Sequence, residues 1–120
     1  MKTKVISWKR YIEDLETLVK KIRESRQKFD LIIGIERGGY IPAVFISHQL
    51  EIPFGKVKSN MKILVVDDIS DTGKTLDSYT SSIFTSATLY IKEGTKVVPD
   101  FYVRKFPKDI WIVYPYEKEN

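Results

Sequence analysis

The sequence has no cysteine and only one histidine, His48. Without cysteine, the chain has no disulfides, thiolate metal sites or cysteine nucleophiles, and it suits a reducing compartment. No apolar run approaches the roughly 18 residues that a membrane-spanning helix needs. The first residues also lack the apolar core of a secretory signal. We therefore expect a soluble cytoplasmic protein without membrane contacts, in which His48 is structural.

Dense lysine or arginine tracts are missing too, which argues against a nucleic-acid-binding surface. The 120 residues carry a mild net charge of +4, with 42% apolar and 30% charged residues. This composition predicts one globular domain over residues 1–120. A small positive balance suits anionic ligands such as phosphates.

Apolar spacing predicts an amphipathic helix over residues 7–27, with Ser7 as its N-cap. Its apolar stripe consists of Trp8, Ile12, Leu15, Val19 and Ile22. The remaining pattern alternates strands with helices, which predicts a parallel sheet joined by right-handed crossovers. The predicted strands are 29–35, 61–66, 88–91, 101–103 and 110–114, and the other predicted helices are 41–50 and 74–85.

The segment "DDISDTGKT", residues 67–75, follows a buried strand and ends like an ATP-binding P-loop. A P-loop needs a glycine where Asp68 stands, and a carboxylate there would repel a polyphosphate. An alternative interpretation assigns a role to the acidic residues of this segment as well as to its glycine and hydroxyl residues. Free N–H groups and hydroxyls at a loop-to-helix junction hold one phosphate, while paired carboxylates bind vicinal hydroxyls or Mg²⁺. This combination matches a ribose 5-phosphate.

The longer segment "ILVVDDISDTGKT", residues 63–75, closely resembles the phosphoribosyl-diphosphate (PRPP) motif of type I phosphoribosyltransferases. The resemblance implies that Asp67 and Asp68 bind the ribose and Mg²⁺. It also makes Asp71 the candidate for proton transfer with the base. The implied 5-phosphate loop is Asp71, Thr72, Gly73, Lys74 and Thr75.

A second corner, "ERGGYIP" at residues 36–42, resembles the pyrophosphate loop of the same family. The implied pyrophosphate ligands are Arg37, Gly38 and Gly39, because glycines expose N–H groups and arginine offers a fixed cationic fork. A turn that requires positive φ explains the glycines as well. We expect both corners to face one crevice at the carboxyl edge of the sheet.

The C-terminal part resembles the xanthine/guanine/hypoxanthine subgroup, whose base-binding residues match Lys92, Trp111 and Ile112 here. Lysine only donates hydrogen bonds, so it would select a keto purine over adenine. Glu117 matches an acid that helps to hold metal. The alternatives are a surface role for Lys92 and a core role for Trp111.

The resemblance implies a compact type I phosphoribosyltransferase fold of the α/β class, with helices flanking a parallel central sheet and a small hood. Relatives carry a long mobile loop, for which only residues 51–60 are present. The implied reaction transfers a phosphoribosyl group from PRPP to a 6-oxopurine with Mg²⁺, giving a nucleoside monophosphate and pyrophosphate. The expected assembly is a homodimer or homotetramer.

Two other functions remain open at this stage. A non-catalytic regulatory protein that binds PRPP or nucleotides would explain the shortened loop. A transferase acting on another nucleophile, such as a pyrimidine, would keep the acidic motif but would not need Lys92 and Trp111 where they stand.

Overall fold

The computed structural model describes residues 2–56 and 60–118 and contains two parallel sheets. The central sheet has the strand order β2–β3–β4–β5, and the second sheet pairs β1 with β6. The strands are β1 Lys2–Val5, β2 Leu31–Gly34, β3 Ile63–Ser70, β4 Phe84–Lys92, β5 Arg104–Phe106 and β6 Ile110–Val113. The helices are α1 Trp8–Glu24 and α2 Tyr40–Leu50. The α/β class with a parallel central sheet is confirmed.

Both helices pack on the same face of the central sheet. The larger core joins buried residues of α1 and α2 to alternate sheet residues such as Ile32, Leu64 and Leu89. The opposite face carries a smaller cluster, formed by Leu31, Ile63, Val65 and Leu76. The sheet is therefore well covered on one side only. Within the described ranges, neither helix combines the length and apolar character needed to cross a bilayer.

The helix α1 forms as predicted, but its buried face is partly different. Ser7 caps it, since its Oγ accepts a hydrogen bond from the Arg10 N–H at 3.1 Å. Trp8 and Ile12 are 53% and 45% exposed, so the predicted stripe is wrong at these two positions. Tyr11, Asp14 and Leu18 are buried with the correctly predicted Leu15, Val19 and Ile22.

Asp14 is buried because two partners from the sheet satisfy its carboxylate. Arg104 Nε lies 3.1 Å from both carboxylate oxygens, and the Tyr90 hydroxyl donates to Oδ2 at 2.7 Å. A buried carboxylate is tolerated only with such partners. This contact fastens α1 to β4 and β5, and apolar periodicity gives no sign of it.

The predicted helix over residues 74–85 is wrong. The chain forms only a short 3₁₀ turn, Leu76–Tyr79, and β4 already begins at Phe84. Serine and threonine side chains compete with helical hydrogen bonds, and β-branched and aromatic residues favour strands. Phe84 and Thr85 pair with Ile63 and Leu64, so the sheet takes residues that the periodicity assigned to the helix.

Other strand boundaries also differ from prediction. The strand β3 runs on to Ser70, so the acidic pair lies inside the strand and not after it. The predicted strand 101–103 is reduced to a bridge between Phe101 and Ala87, with β5 beginning at Arg104. The strand β1 was missed, because all four of its residues are exposed and its sequence has no apolar alternation.

Part of the predicted short loop, residues 57–59, lies outside the described residues. Before it, Phe54 forms an isolated parallel bridge with Ile32 of β2. The whole connection from α2 to β3 spans residues 51–62.

Candidate functional site

The two corners predicted to share a crevice do meet, because β2 and β3 are adjacent and parallel. A cavity of about 370 Å³ is lined by residues 35–38 of the first corner and residues 67–76 of the second. The corners are in direct contact, since a Cβ placed on Gly38 would lie 2.1 Å from Asp68 Oδ2. Any side chain at position 38 would displace this carboxyl group.

The first corner contributes backbone donors and one cation. Gly39 donates its N–H to the Ile35 carbonyl at 2.8 Å, and Tyr40 donates to the Arg37 carbonyl at 3.1 Å. The N–H groups of Arg37 and Gly38 have no acceptor in the described part of the chain. The Glu36–Arg37 peptide bond is cis. Gly39 itself packs behind the cavity, where a Cβ would lie 2.4 Å from the Val66 carbonyl oxygen.

The predicted phosphate loop forms a turn whose amides remain available. Hydrogen bonds among the described residues leave the N–H groups of Asp71, Thr72, Gly73 and Thr75 without acceptors, while Lys74 N–H donates to Thr72 Oγ1 at 3.2 Å. The expected helix dipole is absent, because only a four-residue 3₁₀ turn follows. The anion cradle therefore rests on the turn's own amides and hydroxyls.

A segment that sequence reasoning missed, residues 95–97, supports this loop from behind. Lys96 donates its N–H to the Thr72 carbonyl at 3.0 Å, and Ser70 Oγ donates to the Val97 carbonyl at 2.7 Å. Gly73 has a φ of 87°, and a Cβ there would lie 2.5 Å from the Val97 nitrogen. Gly94, at a φ of 82° just after β4, was the feature of the sequence that could have indicated the turn leading into residues 95–97.

The acidic pair is held in the last half of β3. Asp67 Oδ1 accepts the Asp68 N–H and Asp68 Oδ1 accepts the Ile69 N–H, both at 2.8 Å. Burial raises the pKa of Asp67 to about 8, and the adjacent Asp68 carboxyl adds to the rise. Burial also raises the pKa of Asp68, and the negative charge of Glu117 acts in the same direction.

The same pair fits Mg²⁺, because a divalent cation offsets the cost of two neighbouring buried carboxylates. The described residues contain no group of three or more His, Cys, Asp or Glu side chains in metal-binding geometry. A hydrated Mg²⁺ uses few protein ligands and takes the others from water and substrate oxygens. Glu117 Oε1 already accepts the Tyr114 N–H at 2.8 Å, and its predicted role as a metal ligand stays a prediction.

The predicted base-binding lysine is buried, not on the surface. Lys92 is 5% exposed at the end of β4, and its Nζ donates to the carbonyls of Lys108 and Ile110. The same Nζ lies 4.0 Å from Asp71 Oδ2. The structure thus places the predicted base donor beside the predicted proton-transfer residue.

The strand β6 carries the other two predicted base-binding residues. Trp111 is 58% exposed, so the alternative of a core aromatic is wrong, while the Ile112 side chain is 7% exposed. The Ile110 carbonyl, next to Trp111, is one of the two carbonyls that accept hydrogen bonds from Lys92. His48 is exposed in the last turn of α2 and lines no cavity described at this site.

A second cavity, of about 590 Å³, adjoins the first and shares Arg37, Gly38 and Asp68 with it. The C-terminal tail forms its other wall through Tyr116, Glu117 and Lys118. Sequence reasoning assigned a role to Glu117 but did not place Tyr116 and Lys118 there. The tail therefore closes the side of the crevice where the predicted pyrophosphate loop lies.

Known proteins resemble this chain over most of its length. A purine phosphoribosyltransferase structure from Pyrococcus horikoshii is 33% identical, with a TM-score of 0.85, covering 100% of this chain and 97% of that one. A xanthine-guanine phosphoribosyltransferase of Cereibacter sphaeroides is 30% identical over 115 residues, 72% of this chain and 68% of the relative. No protein-family model matches the sequence.

Another relative, a xanthine-guanine phosphoribosyltransferase of Desulfotalea psychrophila, is 27% identical over 143 positions, covering 99% of this chain and 89% of the relative. The alignment is longer than this chain, so the relative has residues without a counterpart here.

The contact between the corners predicts that Gly38→Ala weakens the site. The added methyl group must displace the Asp68 carboxyl, and we expect the variant to lose about 1–3 kcal/mol of stability and most of its affinity for PRPP. Thermal melting measures the loss of stability, and calorimetry measures the loss of affinity for PRPP. Gly55→Ala is the matched control, because among the described residues a Cβ there meets only Leu31, at an ordinary 3.6 Å. Equal affinity in both variants would contradict the predicted contact.

The buried acid pair predicts a pH dependence of stability in metal-free protein. Because the folded-state pKa of Asp67, about 8, exceeds its ordinary 3.8, stability is lost as pH rises from about 4 to about 8. Asp67→Asn should reduce this loss, by about 1–2 kcal/mol at pH 8.5 after allowing for partial solvent exposure. Melting curves in EDTA between pH 5 and 8.5 test this. The control is Asp109→Asn, at an exposed carboxyl; a similar change in both variants would refute the assignment.

Proposed function

The chain belongs to the type I phosphoribosyltransferases, in the subgroup that acts on 6-oxopurines, and we propose that it transfers the phosphoribosyl group of PRPP to guanine, xanthine or hypoxanthine for purine salvage. One observation supports this most strongly. The acidic pair, the amide-rich turn and the Arg37 corner line one cavity in a chain of this family. Their chemistry matches the hydroxyls, the 5-phosphate and the pyrophosphate of one PRPP molecule.

Each end of PRPP has suitable partners in this cavity. The free N–H groups of residues 71–73, with the hydroxyls of Thr72 and Thr75, bind the 5-phosphate. Asp67 and Asp68 hold the ribose hydroxyls. Arg37 and the amides of its corner bind the pyrophosphate as it leaves. Mg²⁺, when bound at the acid pair, neutralises charge on that leaving group.

The base lies between Lys92 and Trp111 in this proposal. Lys92 has two of its three donors on backbone carbonyls, which fixes its Nζ, and the third donor binds the purine O6. Asp71, beside Lys92, accepts the proton from the base. The exposed ring of Trp111 stacks on the purine, and backbone carbonyls near Ile112 read its 2-position.

The chemical step needs no protein nucleophile. A ring nitrogen of the purine bonds to C1 of the ribose, the C1–oxygen bond breaks, and pyrophosphate leaves with the electron pair. The protein contributes by holding both reactants in line and by stabilising charge with groups that are already placed.

Association with further copies of the chain is part of the proposal. The helix α2 exposes Tyr40, Ile41 and Val44, and Phe54 packs edge-on against Tyr40 beside them. Such a patch favours burial between subunits. A homodimer or homotetramer is therefore expected, and the cytoplasmic location stays a prediction from the sequence.

A second candidate function is a regulatory protein that binds PRPP or nucleotides without catalysis. The short connection between α2 and β3, residues 51–62, favours it, because it leaves little chain to close over the reactants. The intact acid pair and the buried Lys92 favour the enzyme.

One assay separates these functions. The protein is incubated with Mg²⁺, PRPP and each of guanine, xanthine, hypoxanthine, adenine and uracil, and the nucleotide formed is measured. We expect product from one or more 6-oxopurines and far less from adenine and uracil. PRPP binding without product from any base would refute the transferase and support the regulatory protein.

Substitution of Lys92 should separate base recognition from PRPP binding. Lys92→Met keeps an unbranched side chain of nearly the same length but removes the donor, so we expect kcat/KM for the 6-oxopurine to fall by about 100-fold or more, with PRPP affinity within about threefold of wild type. Steady-state kinetics and calorimetry measure the two quantities. Lys105→Met, at an exposed position on β5, is the control. Equal losses for base and PRPP would argue against a base-binding lysine.

A further inference from the structure

Three buried tyrosine hydroxyls have no hydrogen-bond partner among residues 2–56 and 60–118. They belong to Tyr11 of α1 and to Tyr114 and Tyr116 of the C-terminal tail. Tyr11 is 0% exposed and Tyr114 is 6% exposed. A buried hydroxyl without a partner destabilises the folded protein. Three in one cluster therefore call for an acceptor that the described protein atoms do not supply.

The three rings form one cluster. Tyr114 and Tyr116 are stacked with centroids 5.5 Å apart, and Tyr11 meets them edge-on at 6.3 and 5.8 Å. Buried hydroxyl groups on rings that contact one another can share the same ordered water molecules. A buried polar cluster with several donors is the type of site that holds internal water.

The cluster adjoins the acidic pair. Tyr116 lines the second cavity together with Asp68. Burial raises the pKa values of all three tyrosines, and the negative charge of Asp68 contributes to each rise. Asp68 has unused acceptor capacity, because its Oδ1 accepts only the Ile69 N–H among the described residues and a carboxylate accepts several bonds.

We propose that the hydroxyls of Tyr11, Tyr114 and Tyr116 bind ordered water that also hydrogen-bonds to Asp68, and that this internal network positions the acid pair for the Mg²⁺ complex of PRPP. The tyrosines are positioning residues, since none of them contacts the reacting atoms. The inference rests on the proposed function for its ligand, while the internal water itself does not depend on it.

The network would link the tail to the site. Glu117 N–H donates to the Tyr114 carbonyl at 3.0 Å and Glu117 Oε1 accepts the Tyr114 N–H, so the tail forms a tight turn over residues 114–117. Aromatic packing on Tyr11 then fixes that turn against α1. Water molecules that hydrogen-bond both to the tyrosine hydroxyls and to the Asp68 carboxyl would hold that carboxyl in one position relative to the turn.

The first experiment is a crystal structure of the ligand-free protein at about 1.5 Å or better. We expect ordered water within hydrogen-bond distance of the Tyr114 hydroxyl and of Asp68. A dry cluster, with no water near the three hydroxyls, would overturn the proposal. This result is independent of PRPP, so it stands even if the proposed function fails.

The second experiment removes single hydroxyls through Tyr114→Phe and Tyr11→Phe. We expect each variant to bind PRPP in Mg²⁺ about five- to tenfold more weakly by calorimetry, the change that corresponds to one lost hydrogen bond. The melting temperature without ligand should fall by about 3 °C. If the hydroxyls have no partner, the phenylalanine variants will instead be equally or more stable, with unchanged affinity.

Tyr90→Phe is the matched control. Tyr90 is 0% exposed in the same aromatic cluster, stacked near Tyr114, but its hydroxyl donates to the structural carboxylate of Asp14. We expect it to lower the melting temperature and leave PRPP affinity unchanged. If Tyr114→Phe behaves in the same way as this control, its hydroxyl is only structural and the positioning role is refuted. If wild-type protein does not bind PRPP, the proposed function fails, and the crystal structure still decides the network.

Discussion

The site depends on one close approach, in which the Asp68 carboxyl occupies the space beside the Cα of Gly38. This contact brings the ends of β2 and β3 together without intervening side chains, so a cation-bearing corner and a carboxylate-bearing strand share one cavity. The contact requires glycine at position 38 for lack of space, and not because its φ is positive. Arg37 and the acid pair therefore line one cavity, which suits a ligand that carries both phosphates and hydroxyls.

The sequence predicted the α/β class and the meeting of the two corners at one cavity, whereas the roles of the individual site residues stay predictions. Residues 63–75 carry strong local chemistry, since carboxylates, glycine and hydroxyls in that order satisfy few structures other than a phosphate-binding turn. The burial of Lys92 could not be predicted, because it depends on the carbonyls of Lys108 and Ile110, which are distant in sequence. Pairing between distant segments also decided that residues 84 and 85 join the sheet as a strand.

The corrections have a common physical cause. The helix α1 buries Asp14 and Tyr11 because Arg104, Tyr90 and the C-terminal tail supply partners from elsewhere in the chain. Periodicity measures only the apolar preference of each side chain and therefore ranks Trp8 above Asp14. The exposed β1 lacks any such preference, and only its pairing with β6 defines it as a strand.

The missing helix between β3 and β4 also affects how the molecule opens. On the face of the central sheet beneath the 3₁₀ turn, the buried cluster consists of three residues of the sheet itself, Leu31, Ile63 and Val65, and of Leu76 from the turn, whereas two helices cover the opposite face. Local unfolding begins where the least apolar surface is buried, so amide hydrogens of residues 71–80 should exchange with solvent before those of α1. A ligand phosphate held by the same amides would slow this exchange, which couples ligand affinity to the local stability of the turn.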